Sequence, residues 1–249
     1  MYFLTTMRCY MNRQFQQVYV WSKYLRLFHW INVSVVMLLI VLGLIIFNAS
    51  TLGISNDGKV LLKTIHVITG YVFAINLIIR IGMGFFGKGY ERWRKTLPFA
   101  KGFTAELAEL KHQPDKKHKG HNPLGKLMVG ALLLSMCVQM VSGLFIAGTD
   151  IYYPPLGQYF VKSIAIDSSK LELIKPYSKE NVDEQAYQAM REVRTPFITA
   201  HVYTFYFLCF LIPLHIIGVI ISERKEKTAL VSSMINGYKY LPKQEREDK

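Results

Sequence analysis

Four long apolar stretches, separated by polar and charged segments, dominate the chain. They cover about 27–47 ("LFHWINVSVVMLLIVLGLIIF"), 64–86 ("TIHVITGYVFAINLIIRIGMGFF"), 123–147 ("PLGKLMVGALLLSMCVQMVSGLFIA") and 196–221 ("PFITAHVYTFYFLCFLIPLHIIGVII"). Each reaches the length of roughly 20 residues that a helix needs to cross a bilayer. The pattern predicts an all-α integral membrane protein: a four-helix transmembrane bundle, one domain over residues 1–249. "NASTLGISNDG" reads as the turn after the first span. Residues 87–122 form a basic loop between the second and third spans, ending at "HNPLG", where Asn122 is placed to cap a helix and Pro123 to open it. Residues 148–195 form a long loop between the third and fourth spans, within which "ENVDEQAYQAMREVR" predicts a short surface helix. Loops of that length in a bundle tend to be functional, either as a lid over the bundle end or as a docking surface.

The net charge of +13 suggests nucleic-acid binding until it is sorted by segment. Residues 1–28 hold four Lys/Arg and no acids, 87–126 hold ten and four, and 222–249 hold seven and five. Residues 48–63 and 148–195 together hold eight of each sign. Basic segments stay on the cytoplasmic side, so both termini and the 87–122 loop are expected inside and the 148–195 loop outside. The excess charge is topological, and no nucleic-acid partner is expected. No cleavable leader is evident before the first span, which is expected to act as the targeting signal. Cys9, Cys137 and Cys209 form no C-x-x-C or C-x-x-C-H, which argues against c-type haem attachment and a thiolate metal site. Cys137 and Cys209 read as small packing residues.

Four of the seven histidines, His29, His66, His201 and His215, fall in or at the ends of spans. Ionisable side chains in a bilayer are rare and usually face the bundle interior. With the N-terminus inside, His29 lies at the inner end of the first span and His66 at the outer start of the second. In the fourth span His201 is outer and His215 inner. Their 14-residue separation rises roughly 21 Å and falls about 40° short of four full turns, so both look from one helix face. The depths pair His66 with His201 and His29 with His215. Two imidazoles from facing helices supply the axial ligands of a six-coordinate haem iron. Without C-x-x-C-H such a haem is non-covalent, and the spacing predicts two b haems.

Rival chemistries fit less well. Zinc takes four converging N/S ligands, and these histidines are divided between two depths. A proton pathway calls for acidic residues in the spans, and none is present. Met128, Met136, Met140 and Gln139 read as packing on the third span. His112, His118 and His121 belong to the basic segment, His121 with a structural role at the helix start rather than as a hydrogen-bond partner of a haem propionate. Pro213 should bend the fourth helix and free the Cys209 carbonyl. Arg80 is expected to snorkel to the inner headgroups rather than to neutralise a haem propionate. Gly43, Gly70, Gly82, Gly84, Gly143 and Gly218 permit close approach of backbones or of a flat macrocycle.

The stretches "YLRLFHWINVSVVMLLIVLGLIIF", "IHVITGYVFAINLIIRIGMGFFG", "GHNPLGKLMVGALLLSMCVQMVSGLF" and "AHVYTFYFLCFLIPLHIIGVIISERKEKTALVSSMINGYK" resemble the bacterial dihaem cytochrome b family that includes the b-type subunits of Ni,Fe-hydrogenases. The resemblance implies a bacterial inner-membrane, multi-pass anchor whose first-helix histidine pairs with the last, matching His29 with His215. It also implies that electrons pass between a periplasmic redox partner and membrane quinone. The "GTDIYYPPLGQYF" loop departs from the hydrogenase type, so a Ni,Fe-hydrogenase and a c-type cytochrome both stand as partners. The alternatives are a stand-alone quinol-oxidising membrane oxidoreductase and a haem-free scaffold or transporter. Membrane lipid surrounds the protein in each case.

Overall fold

The computed structural model describes residues 15–99, 102–113 and 117–242; Cys9 and the chain ends lie outside them. A strand β1 (Phe15–Tyr19) precedes α1 (Lys23–Phe47) and α2 (Asn56–Phe86). The short α3 (Trp93–Thr96) and α4 (Phe103–His112) follow, then α5 (Pro123–Asp150) and α6 (Gly157–Ile164). The chain closes with the 43-residue α7 (Glu184–Glu226), α8 (Leu230–Asn236) and β2 (Tyr238–Pro242). Helices α1, α2, α5 and α7 are long and apolar enough to cross a membrane. They leave large apolar side chains such as Met37, Val41, Ile78, Ile79, Leu134 and Phe210 exposed, as helices solvated by hydrocarbon do.

Three of the four helices start before their apolar runs, α5 starting with its own, and their first turns show why. The Ser22 hydroxyl accepts from the Leu25 N–H at 3.2 Å, and the Ser55 hydroxyl accepts from Gly58 at the same distance. Asn122 Oδ1 accepts from Gly125 and Asp183 Oδ1 from Ala186, both at 2.7 Å. Each cap satisfies an orphan donor of the first turn, so a helix begins at its cap and not where hydrophobicity rises. Asn122 and Pro123 take the capping and first-turn positions that the sequence suggests. The "ENVDEQAYQAMREVR" segment forms no separate surface helix: from Glu184 it is the first part of α7, because Asp183 starts the helix and nothing ends it before the span. The connection between α5 and α7 shortens accordingly to residues 151–183.

The chain divides into two compact units. One comprises Met1–His29, Arg80–Leu132 and Leu211–Lys249, and the other Trp30–Ile79 and Leu133–Phe210. In the first, β1 pairs antiparallel with β2 from Phe15↔Pro242 to Tyr19↔Tyr238. Trp21, 3% exposed, donates through Nε1 to the Ser233 hydroxyl at 3.1 Å, and its ring centre lies 4.8 Å from that of His121. The Lys239 ammonium donates to the carbonyls of Gly120 and His118 at 2.9 and 3.1 Å and sits over the Trp21 ring. Gly237, at φ +91°, lets the chain turn between α8 and β2; a Cβ there would meet the Trp21 carbonyl at 2.8 Å.

Arg80 does not snorkel. It is 2% exposed, stacked 4.4 Å from the Trp93 ring, and donates to the Glu91 carbonyl at 3.0 Å. Cation–π attraction and a backbone acceptor hold the guanidinium inside the unit. Cys209, expected to pack, is exposed on α7.

In the second unit, the 151–183 segment has its own core of Phe160, Val161, Ile164, Ile174 and Val182 with Met190 of α7. Phe145 of α5 stacks on Phe197 at 3.7 Å and meets Phe160 edge-on at 5.3 Å. The Asp150 carboxylate accepts from Arg194 at 3.0 Å and from Lys63, tying α2, α5 and α7 together. Removing this carboxylate leaves two part-buried cations without their shared partner. Asp150→Ala should cost about 2–3 kcal/mol, read as a lower thermal midpoint in detergent; an unchanged midpoint would contradict the assignment.

A second prediction concerns pH. Burial, together with the positive charges of Lys239, His215, Arg80 and Lys126, pushes the His121 imidazole down from 6.5 to about 3. Its Nδ1 is buried although the residue keeps some exposure. The unfolded chain therefore binds a proton here that the folded chain refuses, and stability falls as pH drops from 6.5 toward about 3. His121→Phe, which keeps an aromatic ring against Trp21, should flatten this acid limb in urea titrations at several pH values. An unaltered limb would rule His121 out as its source.

Candidate functional site

The stripe of α5 that lines the second unit is polar where its neighbours are apolar. Ser135, Gln139 and Ser142 recur at helical spacing, and Ser135 and Ser142 are buried. Across from them, α2 contributes His66 and α7 contributes His201. The two ring centres are 6.4 Å apart and the rings are inclined at 72°. Around them is an apolar cleft of about 1100 Å³ of atom-free space, part of it open to the surroundings. Gly43, Gly70, Tyr71, Gln139, Gly143 and Phe205 are among its lining residues.

Two glycines keep the rings in place. A Cβ at Gly143 would lie 3.2 Å from His201 Cε1, and one at Gly43 would lie 3.7 Å from His66 Cε1. The first is tight enough that a larger residue would displace the ring. Hydrogen bonding treats the two histidines differently. His201 Nδ1 is 3.0 Å from the Ser142 hydroxyl, whereas the buried His66 Nδ1 has no partner among the described residues.

These residues fit a haem. Two imidazoles on opposite sides of one metal, each with a nitrogen about 2 Å away, have ring centres roughly 6 Å apart, close to the spacing seen. The cleft is apolar, as a b-type macrocycle requires, and a side-chain Cβ at Gly143 would crowd the His201 ring. Among the described residues, no three His, Cys, Asp or Glu side chains are grouped to hold a metal ion, so the donor set matches two axial positions and not a zinc tetrahedron.

In the other unit, His29 of α1 and His215 of α7 are near enough for their charges to interact. His121, expected at the helix start in preference to a haem propionate, lies within electrostatic reach of His215. Its position directly before the Asn122–Pro123 helix start was the available signal, because that fixes it at the same end of α5 as His215 on α7. Ser142 escaped sequence reasoning altogether. The i, i+4, i+7 recurrence of Ser135, Gln139 and Ser142 inside an apolar span would have found it. His112 and His118 lie in the basic segment, and Met136 takes a hydrogen bond from Asn32 Nδ2 at 3.2 Å, in keeping with a packing role.

No solved structure matches this chain. A protein of Azotobacter chroococcum mcd 1, described as a probable Ni/Fe-hydrogenase B-type cytochrome subunit, is 29% identical over 156 residues. That alignment covers 57% of this chain and 62% of the relative, so the chain spans under two-thirds of the length of the relative it matches. A family profile described as prokaryotic cytochrome b561 matches residues 20–237, nearly the whole of the described structure. With four membrane-length helices and His66 facing His201 across the cleft, the chain belongs to the prokaryotic cytochrome b561 family.

Proposed function

We propose that the protein carries electrons across a bacterial inner membrane through two b haems, one held by His66 and His201 and the other by His29 and His215. Family membership makes it a membrane electron-transfer cytochrome of b type; the number of haems, the ligand pairs and the electron donors and acceptors are our reading. The observation that carries it is the approach of His66 and His201 from two helices, ring centres 6.4 Å apart, across an apolar cleft.

A bound haem would supply one-electron redox chemistry here. The chain does the rest. His66 and His201 would hold the haem, and Gly43 and Gly143 beside them would leave room for it. Apolar side chains such as Val36, Leu39 and Phe205 exclude water from the cleft, which favours electron transfer over reaction with solvent. The exoplasmic end is covered by the 151–183 segment, whose Pro154 carbonyl accepts from the Tyr71 hydroxyl at 2.6 Å. A periplasmic redox partner delivers or removes electrons at this end. The name of the Azotobacter relative supports a Ni,Fe-hydrogenase, and a c-type cytochrome fits the same chemistry. Membrane quinone exchanges electrons at the cytoplasmic end, and both termini are cytoplasmic. The charge bias of residues 87–126 and 222–249 supports that orientation.

Duroquinol added to the purified, air-oxidised chain in liposomes should reduce its haem within one turnover, followed at the b-haem α band. His215→Ala should slow this reduction at least tenfold while leaving the dithionite-reducible haem of the other pair. Haem-replete protein that duroquinol cannot reduce would contradict the quinone assignment.

A further inference from the structure

We propose that Ser142 is a positioning residue for the His66–His201 site: it holds the Nδ1–H of His201 and so presents Nε2, lone pair free, as the ligand of a bound haem iron. The proposal rests on the haem reading above and deepens it.

The argument is a count of hydrogens. The Ser142 hydroxyl has one. Its oxygen lies 2.6 Å from the Val138 carbonyl and 3.3 Å from that of Gln139. Carbonyls only accept, so the hydroxyl hydrogen is committed to the helix backbone. What remains on Oγ are lone pairs. His201 Nδ1, 3.0 Å away, is therefore the donor in that contact. A neutral imidazole carries a single N–H, which leaves Nε2 as the acceptor and the metal-binding atom.

Water does not compete for this bond, and the Gln139 backbone carbonyl is a second hydrogen-bond acceptor beside the His201 ring. Ser142 is 2% exposed, so water does not exchange with it. The ring is also confined against the α5 backbone, because its Cε1 and Nδ1 lie 3.2 and 3.7 Å from the Cβ position of Gly143. Tautomer and orientation are thus set by adjacent residues on one helix. His66 has no counterpart, since its buried Nδ1 lacks a partner among the described residues. The two axial donors are accordingly unequal. A ring that donates its second N–H to an oxygen is the more basic ligand. It favours ferric over ferrous iron and lowers the midpoint of the haem it holds.

The test compares Ser142→Thr with Ser142→Val in the purified holoprotein. The two side chains match in shape and differ in the hydroxyl, and threonine can make the same bond to the i−4 carbonyl. His201→Ala identifies which midpoint belongs to this site. Threonine should leave both midpoints at wild-type values. Valine should raise the midpoint of this haem alone, by about 59 mV for each tenfold loss of ferric preference. It should also speed transfer of that haem to apomyoglobin about 10–100-fold. Equal midpoints and equal transfer rates in the two variants would overturn the proposal while leaving the haem reading intact. Equal shifts of both haems in both variants would mark a packing role and overturn it too. Wild-type protein without haem would overturn the haem reading and this proposal with it.

Discussion

A histidine ring inside hydrocarbon has no water to satisfy its two nitrogens, and each must find a partner within the bundle or on a ligand. Much of the second unit answers to this constraint. His201 places one nitrogen against Ser142, whose own hydrogen is committed to Val138, and turns the other toward the cleft. His66 approaches from α2 with a buried nitrogen that no described residue satisfies. Gly143 stands where bulk would push the His201 ring aside, and Gly43 faces the His66 ring. The b haem proposed above would resolve the remaining deficit, with His66 and His201 as the residues that hold it.

The unit that contains both chain ends solves a different problem. It carries many polar groups and buries several of them with specific partners. Lys239 spends its ammonium on two backbone carbonyls and the face of Trp21. Arg80 rests on Trp93. The Glu223 carboxylate accepts from the first amides of α8, and Asn122 caps α5 while donating to Glu226 and Ser222. The β1–β2 pairing joins segments more than 200 residues apart. His29 near the start of α1, His121 beside the start of α5 and His215 toward the C-terminal end of α7 sit in this framework.

How much of this was legible follows from what hydrophobicity reports. Apolar runs mark the lipid-facing lengths of α1, α2, α5 and α7, and the sequence shows those clearly. They do not mark helix ends, which depend on Ser22, Ser55, Asn122 and Asp183; only "HNP" announced its cap. The 14-residue interval between His201 and His215 pointed to a shared helix face, and the partnering of His66 with His201 could be inferred from depth. Arg80 was misread because the sequence does not reveal that Trp93, 13 positions on, comes back beneath it. The β1–β2 pairing was invisible, since strands of five residues with no hairpin between them leave no local signature. Ser142 was hidden by habit more than by physics: one serine in a membrane helix is unremarkable, and its stripe with Ser135 and Gln139 is not.

The most direct test of the central claim is a haem count per polypeptide by pyridine haemochrome on purified wild type, His201→Ala and His215→Ala. Two b haems in the wild type and one in each variant are the predicted result. A folded wild type that contains no haem, or variants that keep the full complement, would contradict the paired-histidine account.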